Sequence, residues 1–167
     1  MTETFQYSLH DGVCHLRLVG ELRHDTAGEL DIWVQNLVAG LDSPVCDVCI
    51  DLNQVSFMDS TAIGLLAEIA REVVGRGLPA PTLISNDAEI NQLLTSLRFD
   101  EVFKLIARPS DCRAHPDDDE LRCIGDSSAC TGKAILKAHE ALIDLNDANR
   151  AAFQPVVDLF REQLDKK

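Results

Sequence analysis

Between residues 4 and about 106 the spacing of apolar residues switches back and forth between every second position and every third or fourth. No feature of the chain limits its fold more. TFQYSLH and VCHLRLVG alternate, and Asp11-Gly12 between them suits a tight turn with positive φ, which predicts a β-hairpin ending at Gly20. Leu30, Trp33, Val34, Leu37, Val38 and Leu41 follow at helical spacing, with Asp25 or Thr26 as cap. VCDVCIDL, bounded by Pro44 and Asn53, is too short for most helices and reads as a strand. A helix from about Ser60 carries Ile63, Leu66, Ala67, Ala70, Val73 and Val74 on one face, and GRG ends it. APTLIS predicts a short strand, DAEINQLLTSL a short helix capped by Asn86 or Asp87, and EVFKLI a last strand. The order ββαβαβαβ argues for an α/β sheet with right-handed parallel crossovers and an antiparallel opening hairpin.

Aromatic residues make up 5% of a chain that is 46% hydrophobic, so the core must be built from Leu, Val, Ile and Ala. The net charge is −13 and no Lys/Arg cluster relieves it. Such a surface repels nucleic acid and anionic membranes, leaving protein partners or small cations. The N-terminus has no basic, then apolar, leader pattern, and nothing approaches the roughly 18 apolar residues of a membrane span, so a cytoplasmic protein is expected. Six cysteines then read as mostly reduced. Cys46 and Cys49 have CxxC spacing, but inside a strand they point to opposite faces, which suits buried thiols better than a metal or redox pair. No metal and no cofactor is expected.

From Arg108 the chain turns polar. Residues 108–130 read as a connector, and the run Asp117-Asp118-Asp119-Glu120 as a solvated loop without a calcium-loop pattern. Residues 131–167 read as a helical extension, with Leu142, Leu145, Phe153, Val156, Val157, Phe160 and Leu164 three and four apart. Pro155 predicts a kink, or two helices joined near Gln154, because an interior proline costs roughly 3 kcal/mol. The apolar stripe must be buried, either on its own domain or against a second copy, so the chain is a monomer or a homodimer through these helices.

The chemistry concentrates at Met58-Asp59-Ser60-Thr61, where the strand side hands over to a helix beyond the carboxyl end of a parallel strand. Asp59 or Ser60 can cap the free amides. A phosphate on one hydroxyl would be stabilised by the same amides and dipole, adding roughly −1.5 to −2 charges beside Asp59 without melting the helix. A docked partner would feel repulsion. An enzyme is not expected. His10, His15, His24, His115 and His139 are scattered, there is no Gly-rich phosphate loop or Gly-x-Ser-x-Gly elbow, and Ser60 has no evident base in sequence.

DLNQVSFMDSTAIGLL resembles the signature of STAS domains, and in particular of bacterial anti-sigma factor antagonists. Asp51, Leu52, Val55, Phe57, Met58, Asp59, Ser60, Thr61 and Gly64 match in place, and Gly20-Glu21-Leu22 with Ala27 and Leu30 is also similar. The resemblance implies a STAS domain over residues 1–107. Its fold is a mixed sheet of four to five strands with helices mainly on one face. It further implies partner switching: an anti-sigma factor that is also a serine kinase binds the unmodified protein and phosphorylates the serine after the motif Asp. A PP2C-type phosphatase reverses this. Carried over, the acceptor is Ser60, with Thr61 second, and the partner-binding residues are Asp59, Ser60, Thr61, Ile63, Gly64, Arg23 and Asp25. Two positions depart. Ala62 replaces the usual Gly, stiffening the helix start by ~1 kcal/mol. Arg23 stands where relatives carry Asp, so it is expected to pair with a phosphate rather than repel it if it lies near Ser60. The alternative is an unphosphorylated STAS docking module acting through its C-terminal helices.

Overall fold

The computed structural model describes residues 4–39, 47–107, 122–123 and 129–166. Most of the polar connector, including Asp117–Glu120, lies outside the described residues, as do Cys46 and Cys112. β1 (Thr4–His10) and β2 (Val13–Leu22) form the expected hairpin. Its two-residue turn holds Asp11 at φ 51° and Gly12 at φ 79°, the left-handed pair that matches the strand twist. α1 (Gly28–Ala39), β3 (Asp47–Met58), α2 (Ser60–Gly75), β4 (Thr82–Ile84), α3 (Ala88–Ser96) and β5 (Lys104–Ile106) follow in the predicted order, with a single 3₁₀ turn at Phe99–Glu101 before β5.

The sheet order is β5-β4-β3-β2-β1-β6. β2, β3, β4 and β5 pair in parallel, and β1 pairs antiparallel with β2. Five strands are thus the expected ones. The sixth, β6 (Arg122–Cys123), is a two-residue strand from the segment read as connector, added antiparallel to β1.

β3 is longer than its apolar run suggests. Residues 53–58 were expected as loop but remain on the ladder, pairing Val19 with Gln54, Gly20 with Val55 and Leu22 with Met58. The ten-residue β2 offers edge groups that far, and register shifts absorb the irregular pattern.

One sheet face carries the main core. Leu16, Leu18, Val48, Ile50, Leu52 and Leu83 meet side chains from every helix there, so helices do cover mainly one face. The other face has a small cluster of Val13, Cys49 and Ile84. Cys14 and Cys130 are free thiols. Cys49 is disulfide-bonded, against the expectation of a buried strand thiol at this position.

The extension forms two helices, α4 (Gly132–Ile143) and α5 (Asp147–Asp165). The break falls at residues 144–146, not at Pro155, which sits inside α5. Asn146 explains the position: its extended backbone and side-chain oxygen, accepting from the Asn149 amide, start a new helix there. None of the described helices is long and apolar enough to cross a membrane.

Leu52, fully buried on the central strand, sets a test of the core. Leu52→Ala should lower unfolding free energy by about 2–5 kcal/mol in urea titration, with an unchanged far-ultraviolet spectrum of the folded state.

Candidate functional site

The site is built by the β2–β3 register. Pairing Leu22 with Met58 brings the two following loops side by side, and the Asp59 amide donates to the Leu22 carbonyl at 2.9 Å. Asp59 has extended backbone and caps α2, accepting from the Ala62 amide at 2.9 Å. Its other oxygen accepts from the His24 amide at 2.7 Å and lies 3.2 Å from His24 Nδ1. One carboxylate therefore starts the helix and ties down the β2–α1 loop.

Ser60 takes the first helical position and is half-buried. Its Oγ lies 2.8 Å from Nε2 of His139, a residue of α4 that is only 3% exposed. His139 Nδ1 lies 2.8 Å from the Ile135 carbonyl, which can only accept. Nδ1 thus carries the proton in the neutral ring, and the Ser60 hydroxyl donates to Nε2. Phe153 of α5 packs on the ring, with centroids 5.9 Å apart.

The extension therefore lies on α2. Ser60, Gly64 and Glu68 fall four apart on one row of the helix. A Cβ on Gly64 would overlap the Ala138 carbonyl group, so only glycine permits this approach. Ala134, Ala138 and Ala141 give α4 its small buried surface. The Cys130 amide donates to the His24 carbonyl at 2.7 Å, Arg71 Nη1 to Asp144 at 3.3 Å, and Asn149 Nδ2 of α5 to the Leu97 carbonyl at 3.0 Å. As a result α2 is buried through all of residues 61–70, not along one stripe only.

The expected site residues separate accordingly. Asp59 and Ser60 sit together at the helix start. Thr61 and Ile63 are buried, and Gly64 is packed under Ala138. Asp25 is exposed on the neighbouring loop. Arg23 is not engaged with Ser60. Its guanidinium lies 4.2 Å from the Phe57 ring centroid and its Nε 3.3 Å from Glu21 Oε2.

His139 and Glu68 escaped the sequence reading. The pattern Ala134, Ala138, Ala141 around His139 is a legible sign that this histidine lies on a buried helix face. Glu68 is 1% exposed, and neither carboxyl oxygen has a hydrogen-bond partner among the described residues. Burial pushes its carboxyl up from 4.5 to about 7, against the attraction of Lys137 on α4 and with a further push from Asp31 on α1. Burial likewise pushes the Cys130 thiol up to about 12, aided by Asp31, Asp59 and Glu68. Away from Ser60, a groove of about 450 Å³ runs between the far half of α2 and the end of α4, lined by Ala67, Ala70, Val74, Val102, Ala141 and Leu145.

These features define a one-sided α/β domain whose polar site is a capped helix start beyond a parallel strand. The chain belongs to the STAS domain family: residues 4–112 match the STAS domain. Among solved structures it is similar to an anti-sigma factor antagonist from Mycobacterium paratuberculosis, at 25% identity and a TM-score of 0.54, covering 66% of this chain and 90% of that one. It is also similar to the anti-sigma factor antagonist SpoIIAA in its unphosphorylated form, at 18% identity and a TM-score of 0.51, covering 64% and 91%. Comparison with curated proteins gives no match.

Two substitutions test the site. Asp59→Ala removes the cap and the anchor of the His24 amide, and should lower stability by about 1–3 kcal/mol. Asp59→Asn, which keeps an acceptor, should lose less in the same denaturation series. For Glu68, the folded state binds its proton more tightly than the unfolded chain. Between pH 4.5 and 7 stability therefore falls as pH rises. Glu68→Gln should match the wild type near pH 4 and exceed it above pH 7 by up to about 3 kcal/mol, read from urea midpoints across that range.

Proposed function

We propose that this chain is a regulatory binding protein of the anti-sigma factor antagonist kind. It docks an anti-sigma factor that is also a serine kinase, through Ser60 and the loop residues Arg23 and Asp25 beside it. Phosphate on Ser60 breaks the docking, and a PP2C-type phosphatase restores it. The observation that carries this reading is the position of Ser60: a hydroxyl at the first turn of α2, directly after the capping Asp59, in a chain of the STAS family. A phosphate there gains the helix dipole yet stands beside a carboxylate and on a chain of net charge −13. It therefore repels a partner that docks there from outside. Thr61, at 4% exposed, is the poorer acceptor.

The Ser60–His139 pair has the atoms of a nucleophile and its base, but we read it as structural. His139 is buried against Phe153, the Asp59 carboxylate occupies the helix start where an oxyanion would need donors, and the groove lies at the other end of α2. The same pair favours the second reading, an unphosphorylated docking module, because it engages the Ser60 hydroxyl internally. Ala138, Ala141 and Leu142 of α4, with Phe153 of α5, pack on the core of their own domain, so the proposed state is a monomer acting in the cytoplasm. The residues propose a division into a STAS domain over 1–107, a connector over 108–130 and a helical extension over 131–167.

Peptide-mapping mass spectrometry of the protein from its own cells tests the switch. The expected result is a phosphate on Ser60 that PP2C-type phosphatase removes, with partner binding lost in Ser60→Asp and kept in Ser60→Ala. Unmodified Ser60 across growth conditions, with equal binding by both variants, would leave the docking module.

A further inference from the structure

Resting on Ser60 as the switch residue, we propose that the α4–α5 hairpin is an intramolecular cover of α2. Its docked position and a phosphate on Ser60 exclude each other, and so do its docked position and a partner seated at Ser60.

Three independent features point to this. The first is geometric. The Ser60 hydroxyl is 2.8 Å from a buried imidazole nitrogen, which leaves no room between them for a phosphorus and its three oxygens. The second is the fit at Gly64. The hairpin backbone rests on α2 so closely that a single methyl group cannot enter, so any protein that docks on this row of α2 must take the place of α4. The third is that the contact is imperfectly sealed. Glu68 brings an acid onto the buried side of α2 with neither oxygen hydrogen-bonded among the described residues, near Lys137 of α4, Asp31 of α1 and Arg71 and Glu72 of its own helix. Burying such a group disfavours the docked state relative to a released one. Among the described residues the hairpin's other polar ties to the domain are the Cys130 amide, the half-exposed Arg71–Asp144 pair and the Asn149 amide, beside the apolar packing of Ala138, Ala141 and Leu142 on the core. By reciprocity, whatever displaces the hairpin favours phosphorylation of Ser60, and phosphate on Ser60 favours release.

Gly64→Ala supplies a wedge that leaves α2 itself sound, because alanine favours helix. Ser60→Asp supplies the charge. Amide exchange followed by mass spectrometry on the full chain reads both without any kinase. The expected result is exchange over residues 132–165 faster by about tenfold or more in each variant, the scale of one lost buried hydrogen bond, with β2 and β3 unchanged. Ser60→Ala, which loses the same hydrogen bond without adding a charge, should speed exchange less than Ser60→Asp. Unchanged exchange in both variants, or slower exchange in Ser60→Asp because a charge at Ser60 latches His139, would overturn the cover. If the wedge variant fails to fold, Ser60→Asp decides alone. The two proposals fail separately. Ser60 never phosphorylated in cells removes the switch but leaves hairpin release measurable. Phosphate on Ser60 with an indifferent hairpin removes the cover and leaves the switch.

Discussion

The parallel pairing of β2 with β3 is the contact on which the rest of the molecule depends. It joins the antiparallel hairpin to the parallel half of the sheet, and it extends to the last residues of both strands. Because Leu22 stands opposite Met58, the β2–α1 loop and the start of α2 emerge together. Asp59 then fixes both with a single side chain. Two segments 35 positions apart become one surface. A register slip of one residue would turn Leu52 and Ile50 away from the core face as well as separate the loops, so core packing and site geometry are enforced by the same ladder.

α2 is the second organising element. One side meets the sheet core, and the other meets the C-terminal hairpin, so its residues are buried almost all round. The two sides differ in chemistry. Toward the core stand Leu65, Leu66 and Ile69, all fully buried. The row shared with α4 is Ser60, Gly64 and Glu68: a hydroxyl, a bare backbone and an acid. Small and polar groups allow close approach but gain little from burial compared with large apolar ones.

Much of the fold is legible in the residues because local signals agree. Asp11-Gly12 has the positive φ its turn requires, Asp87 caps α3, and the apolar period switches where the elements switch. The misses share a cause. β3 outruns its apolar run because a neighbouring strand supplies ladder partners that a single segment cannot reveal. The helix break moves from Pro155 to Asn146 because a side-chain cap there outweighs the proline, which α5 absorbs. The candidate site was half legible: the order of Asp59 and Ser60 marks a capped helix start, whereas His139 gave no sign of meeting a serine 79 residues earlier.

The sequence by itself determined the α/β alternation, the hairpin turn and the placement of an acid and two hydroxyls at a helix start, since each follows from neighbours within a few positions, while the structure chose Asp59 over Ser60 as the cap. Only the tertiary structure decided that Ser60 faces His139, that Gly64 is a contact with a backbone, and that Glu68 is buried with no hydrogen-bond partner among the described residues. Those facts depend on where α4 comes to rest on α2. That position is set by the fit of two helix surfaces far apart in the chain, which local propensity does not encode.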